Sequence, residues 1–129
     1  RVTKIAGLSH IMLPCSVGFA GAAQQPYKFA DSAIPLLIQK MKMAGAMPMR
    51  FQAKIAGGAQ MFAAKGNTSL ANIGERNVIA VKQELAESSC FNFKSVSIHK
   101  SLPMQQFMGL NGKQNSARAA CSAVKIAAS

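Results

Sequence analysis

A chain of 129 residues, half of them hydrophobic, is long enough to bury one core and too apolar for a disordered polyelectrolyte. Fifteen Lys and Arg against four Asp and Glu give a net charge of +11, which favours acidic partners by long-range steering. The basic residues are scattered, and no RRM, zinc-finger or basic-zipper pattern accompanies them, so nucleic-acid binding is permitted but not indicated.

The three cysteines, Cys15, Cys90 and Cys121, show neither CxxC nor Cys/His metal spacing. That argues against a disulfide scaffold and a zinc site, and for a reducing compartment. There is no apolar run of membrane-spanning length and no charged-then-apolar leader, so neither membrane insertion nor a signal peptide is expected. A cytoplasmic protein without metal or cofactor is the expectation.

In chain order, Lys4 to Leu13 is mainly apolar and stops at Pro14, which predicts a buried strand with His10 inside it. Residues 15–27 hold Gly18, Gly21, Pro26 and small side chains, the composition of a loop. Asp31 is a candidate N-cap, with Pro35 placed in the first turn of a helix. Ile34, Leu37, Ile38 and Met41 then recur at helical spacing until Gly45. Phe51, Ala53 and Ile55 alternate with Gln52 and Lys54, predicting a half-buried strand that Gly57-Gly58 breaks. A short apolar stretch runs through Met61-Phe62, and residues 65–72 read as a polar loop.

Val78, Val81 and Leu85 mark a second helix from near Gly74 to near Glu87. Phe91 to Ile98 reads as a strand whose apolar phase switches between Phe93 and Val96, the mark of a bulge or two-sided burial. Residues 99–118 carry little pattern, and Ala119 to Ile126 reads as another strand. There is no internal repeat, so residues 1–129 are expected to form a single domain. Gly57-Gly58 lacks the lysine and spacing of a phosphate-binding loop.

Four stretches in one order, GLSHIMLP (7–14), KFADSAI (28–34), AKIAGGAQMF (53–62) and IGERN (73–77), resemble the CheD family, chemotaxis deamidases that convert receptor glutamines to glutamates. The resemblance spans about residues 5–98. It implies an α+β fold, a layered, sandwich-like β-structure flanked by two main helices. It also implies a cysteine hydrolase acting on glutamine side chains, and by extension their methyl esters, of chemoreceptor cytoplasmic helices. A CheC-type phosphatase is implied as a partner. In the family the nucleophilic cysteine precedes the histidine, whereas nine residues precede His10 here.

At the far end, MQQFMGLNG (104–112) and RAACSAVKI (118–126) resemble the family's opening segment. Were Ser129 followed by Arg1, Cys121 would precede His10 by eighteen positions, a spacing similar to the family's. CSAVKIAAS joined to RVTKIAGLSH then has the shape of a β-hairpin. The chain therefore reads as circularly permuted relative to the family, with residues 104–129 as its opening; the rival reading is a diverged end without a nucleophile.

By resemblance, Cys121 is the nucleophile, His10 its base, and Asn115 or Ser116 the group orienting the imidazole. Deamidation by these residues is acyl transfer: the base deprotonates the thiol and later protonates the leaving amine. Gly57, Gly58, Arg76 and Asn77 fall in motifs near the substrate, with helix capping and anchoring as the alternative for Arg76 and Asn77. Cys15, beyond Pro14, can serve as nucleophile only if its loop folds back. Cys90 reads as structural and His99 as a surface residue. Ala119-Ala120 stand where the family has Gly-Ser, Asn115 falls on the family's threonine, and no D-x-G-G segment follows residue 99. These departures leave open a catalytically impaired adaptor that binds receptor or a CheC-type partner.

Overall fold

The computed structural model describes residues 4–58, 73–90, 96–99 and 122–128. Its elements are strand β1 (Ile5–Ile11), helix α1 (Ala30–Met43), strand β2 (Phe51–Ala56), helix α2 (Ile73–Glu87), strand β3 (Val96–His99) and strand β4 (Ser122–Ala128). The strands form one sheet in the order β1-β4-β2-β3. β4 is antiparallel to both neighbours, and β3 is parallel to β2, a pairing that needs a crossover of the kind α2 belongs to. The fold is thus α+β, a β-layer flanked by two helices, as expected. Parts of the expected elements at 59–72, 91–95 and 119–121 lie outside the described residues.

The strand nearest the chain's end lies at the centre of the sheet. β1 pairs with it from Ile5 opposite Ala128 to Ile11 opposite Ser122. This is the antiparallel pairing expected of the two apolar segments; Arg1 and Ser129 lie outside the described residues.

The pleat sorts side chains onto two faces. On one, Gly7, Ile126 and Ala53 form one row, and Ser9, Val124 and Ile55 the next. This face meets Ile34, Ile38 and Met41 of α1 and Val78, Val81 and Leu85 of α2 in a single buried cluster. α1 approaches so closely that a Cβ on Gly7 would lie 2.6 Å from Leu37 Cδ1. The other face carries Leu8, Gln52, Lys54 and Lys125, all exposed.

Helix α1 departs from the sequence reading at its start and matches it at its end. The residue before its first turn is Phe29, which offers no side-chain cap, so Asp31 is not the N-cap. Its Oδ2 accepts hydrogen bonds from the Ser16 N–H at 2.8 Å and the Ser16 hydroxyl at 2.7 Å. The carboxylate therefore ties the loop after β1 to the helix. Pro35 lies beyond the first turn, inside the helix. It leaves the Asp31 carbonyl without its helical donor, and its own side chain is exposed. At the other end Gly45 adopts φ +93°, donating to the Lys42 carbonyl, while Ala46 N–H donates to Met41. These two bonds close the helix as a Schellman motif, which only glycine enters without strain.

Two carboxylates on the facing helices titrate in opposite senses. Burial raises Asp31, but hydrogen bonds from the Ser16 amide and hydroxyl, the Cys15 thiol and the Ser32 amide outweigh it and hold the group below the ordinary range. Burial first, then the charges of Glu87 and Asp31, push Glu84 above it. Asp31 thus stabilises the fold above its unfolded value of about 3.9, a contribution lost as pH falls through its lower folded value. Glu84 opposes folding at neutral pH, and protonation relieves this as pH falls through its raised folded value. Thermal melts are expected to show Glu84→Gln stabilising at pH 7, with the gain shrinking towards pH 4. Asp31→Asn should cost about 1 kcal/mol at pH 7.

Candidate active site

β1 presents His10 on the face turned away from the helices, opposite Ala123 of β4, which in turn lies opposite Ala56 of β2. His10 is half-buried, while Ala123 and Ala56 are 0% and 1% exposed.

β2 ends at Ala56, and Gly57 and Gly58 follow with φ of 151° and 82°. Side-chain-bearing residues rarely adopt either value, so the chain leaves the sheet, at the end where His10 lies, by a bend suited to glycine. Gly58 then passes α2, where an added Cβ would sit 3.5 Å from Val78 Cγ2.

Next to Val78, Asn77 pins the same end of the sheet. Its Nδ2 donates to the carbonyl of Met12, two residues after His10, at 3.1 Å. Asn77 is 0% exposed, and its buried Oδ1 has no hydrogen-bond partner among the described residues. The geometry is that of the anchoring alternative: the side chain holds the strand bearing His10 against α2. Asn77→Ala removes the donor and leaves the Met12 carbonyl unsatisfied, so chemical denaturation should show a loss of about 1–3 kcal/mol.

Arg76 is exposed on α2. Cys15 is exposed, its sulfur accepting from the Val17 N–H at 3.4 Å in the loop that Asp31 ties to α1 through Ser16. Cys90 packs against the core, in keeping with a structural role. His99 belongs to β3, opposite Ala56 in the backbone register. Cys121, Asn115 and Ser116 lie outside the described residues; Ser122, which follows Cys121, begins β4 opposite Ile11.

The structure therefore gathers His10, Gly57, Gly58 and Asn77 at one end of the sheet. The Asn77–Met12 link was not foreseen; its only sequence signal is an asparagine near the start of a helix with apolar spacing. Among the described residues no group of three or more His, Cys, Asp or Glu could hold a metal ion. No helix among them is long and apolar enough to cross a membrane.

A family model described as CheD chemotactic sensory transduction matches residues 12–95 in one continuous run. The chain belongs to the CheD family. Similar CheD proteins include the probable chemoreceptor glutamine deamidase CheD of Clostridium botulinum (strain Alaska E43 / Type E3), 52% identical over 87 residues, covering 67% of this chain and 53% of the relative. The protein of that name from Caldanaerobacter subterraneus subsp. tengcongensis is 51% identical over 84 residues, covering 65% and 51%. The chemoreceptor glutamine deamidase CheD of Halalkalibacterium halodurans is 46% identical over 88 residues, covering 68% and 54%. The chain spans about half the length of the curated CheD relatives it matches. The CheD match contains Gly57, Gly58, Arg76, Asn77 and both helices, while His10 and residues 104–129 lie outside it.

Proposed function

We propose that this chain is a cysteine-dependent deamidase of glutamine side chains on chemoreceptor cytoplasmic helices, working in the cytoplasm. About 50% identity to proteins named chemoreceptor glutamine deamidase supports the activity and the receptor as substrate. The observation that carries the site is the pairing of β1 with β4. It sets the strand that Cys121 immediately precedes beside the strand that bears His10.

In this reading Cys121 is the nucleophile. His10 takes the thiol proton, and the thiolate attacks the carboxamide carbon of the substrate glutamine. A C–S bond forms, and the C–N bond breaks as His10 returns the proton to the leaving ammonia. Water, deprotonated by the same imidazole, then cleaves the thioester and leaves glutamate. Asn115 or Ser116 orients the imidazole, and the Gly57-Gly58 bend and Arg76 border the substrate. Residues 104–129 play the part of the family's opening segment, in circularly permuted order. A CheC-type phosphatase is the second partner.

A second reading, an adaptor without turnover, is favoured by Ala119-Ala120 in place of Gly-Ser and by Asn115 in place of threonine. Incubation with a glutamine-bearing receptor peptide decides between them. The one-mass-unit gain of deamidation, absent from the Cys121→Ala protein, is expected. Equal gain with both proteins would remove Cys121 from the mechanism, and binding without any gain would leave the adaptor.

A further inference from the structure

The face that bears His10 also carries two lysines that register brings together from distant parts of the sequence. Lys54 on β2 and Lys125 on β4 are direct cross-strand partners, and both are exposed. Their Cβ atoms are therefore about 5 Å apart, a spacing at which like charges repel. No carboxylate of this chain offsets them. Its four acidic residues are Asp31 in α1 and Glu75, Glu84 and Glu87 in α2, on the helical side of the sheet. Leu8, opposite Lys125 on β1, adds an apolar contact and is 41% exposed. His10 lies two residues beyond Leu8 on the same face, about 7 Å away along the strand.

We propose that Lys54 and Lys125 form the recognition surface for an acidic helical protein segment, holding carboxylates one helical turn from the glutamine that reaches His10. Residues three or four apart on a helix lie about 5–6 Å from one another, close to the roughly 7 Å step from the lysine row to the His10 row. Such a segment supplies the charge this face lacks and relieves the lysine repulsion, while its apolar side covers Leu8. The link to turnover rests on the deamidase reading; the binding surface does not.

Fluorescence anisotropy tests this with a labelled helical peptide holding a central glutamine flanked by glutamates three and four residues away, and with a copy whose glutamates are glutamines. The acidic peptide is expected to bind about tenfold more tightly at low salt. The Lys54→Glu/Lys125→Glu protein should lose that preference and favour a lysine-flanked copy. Lys54→Ala and Lys125→Ala, each at an exposed position, should keep or slightly raise the wild-type thermal midpoint and lose part of the preference. An unchanged preference in all three variants would overturn the surface. So would charge reversal that weakens binding to duplex DNA or to phosphatidylglycerol vesicles while sparing the peptide. Preference lost on reversal, with no deamidation by the unmodified chain, would keep the surface and remove the deamidase reading. Deamidation whose KM is indifferent to reversal would do the opposite.

Discussion

Replacing Cys121 with alanine is expected to lower the rate of receptor-peptide deamidation by at least about 10⁴-fold, because in the proposed mechanism its thiol forms the thioester. His10→Gln should cost about 10²–10⁴-fold, the usual worth of a positioned acid–base group. The two losses should not add: a thiol without its base and a base without its thiol fail at the same step, so the double variant should fall little below Cys121→Ala. Binding of the acidic peptide should survive in all three proteins. Cys15→Ala is the matched comparison, since that cysteine is exposed in the loop before α1. It should retain turnover, with at most a modest loss of stability. A Cys15→Ala protein without activity, beside an active Cys121→Ala protein, would exchange their roles.

Ile126→Ala is expected to destabilise the fold by about 2–5 kcal/mol. β4 is held between β1 and β2, and Ile126 is 0% exposed in the row between Gly7 and Ala53. Truncating the side chain opens a cavity in the buried cluster that the sheet shares with the helices. Lys125→Ala, one residue away on the open face, should be neutral or slightly stabilising without an anionic partner, since it relieves the repulsion with Lys54. Denaturant titration of the two variants reads the contrast. Equal, small effects would mean that residues 122–128 are not a central strand.

Much of the local structure was legible because its causes are local. The alternation of Phe51, Ala53 and Ile55 with Gln52 and Lys54 became a strand with the expected buried and exposed sides. Gly45 closed α1 because a left-handed residue is needed there whatever packs outside. What was misread depends on partners distant in sequence. Asp31 had the composition of an N-cap, but its oxygen is taken by Ser16, fifteen residues away. The same limit hid the site's surroundings. Asn77 meets Met12 across 65 residues. Lys54 and Lys125 looked scattered along the chain, and only the β2–β4 register makes them neighbours. The Gly57-Gly58 break was legible from the end of the strand pattern, whereas His10 was singled out by motif resemblance, since periodicity offers no reason for a histidine in an apolar strand.

Catalysis by Cys121 and His10 is tested most directly by an experimental structure of the chain that locates the Cys121 sulfur. A sulfur within about 4 Å of an imidazole nitrogen of His10, on the face shared with Lys54 and Lys125, is the result predicted. A sulfur on the helical side of the sheet, beyond reach of the ring, would contradict it.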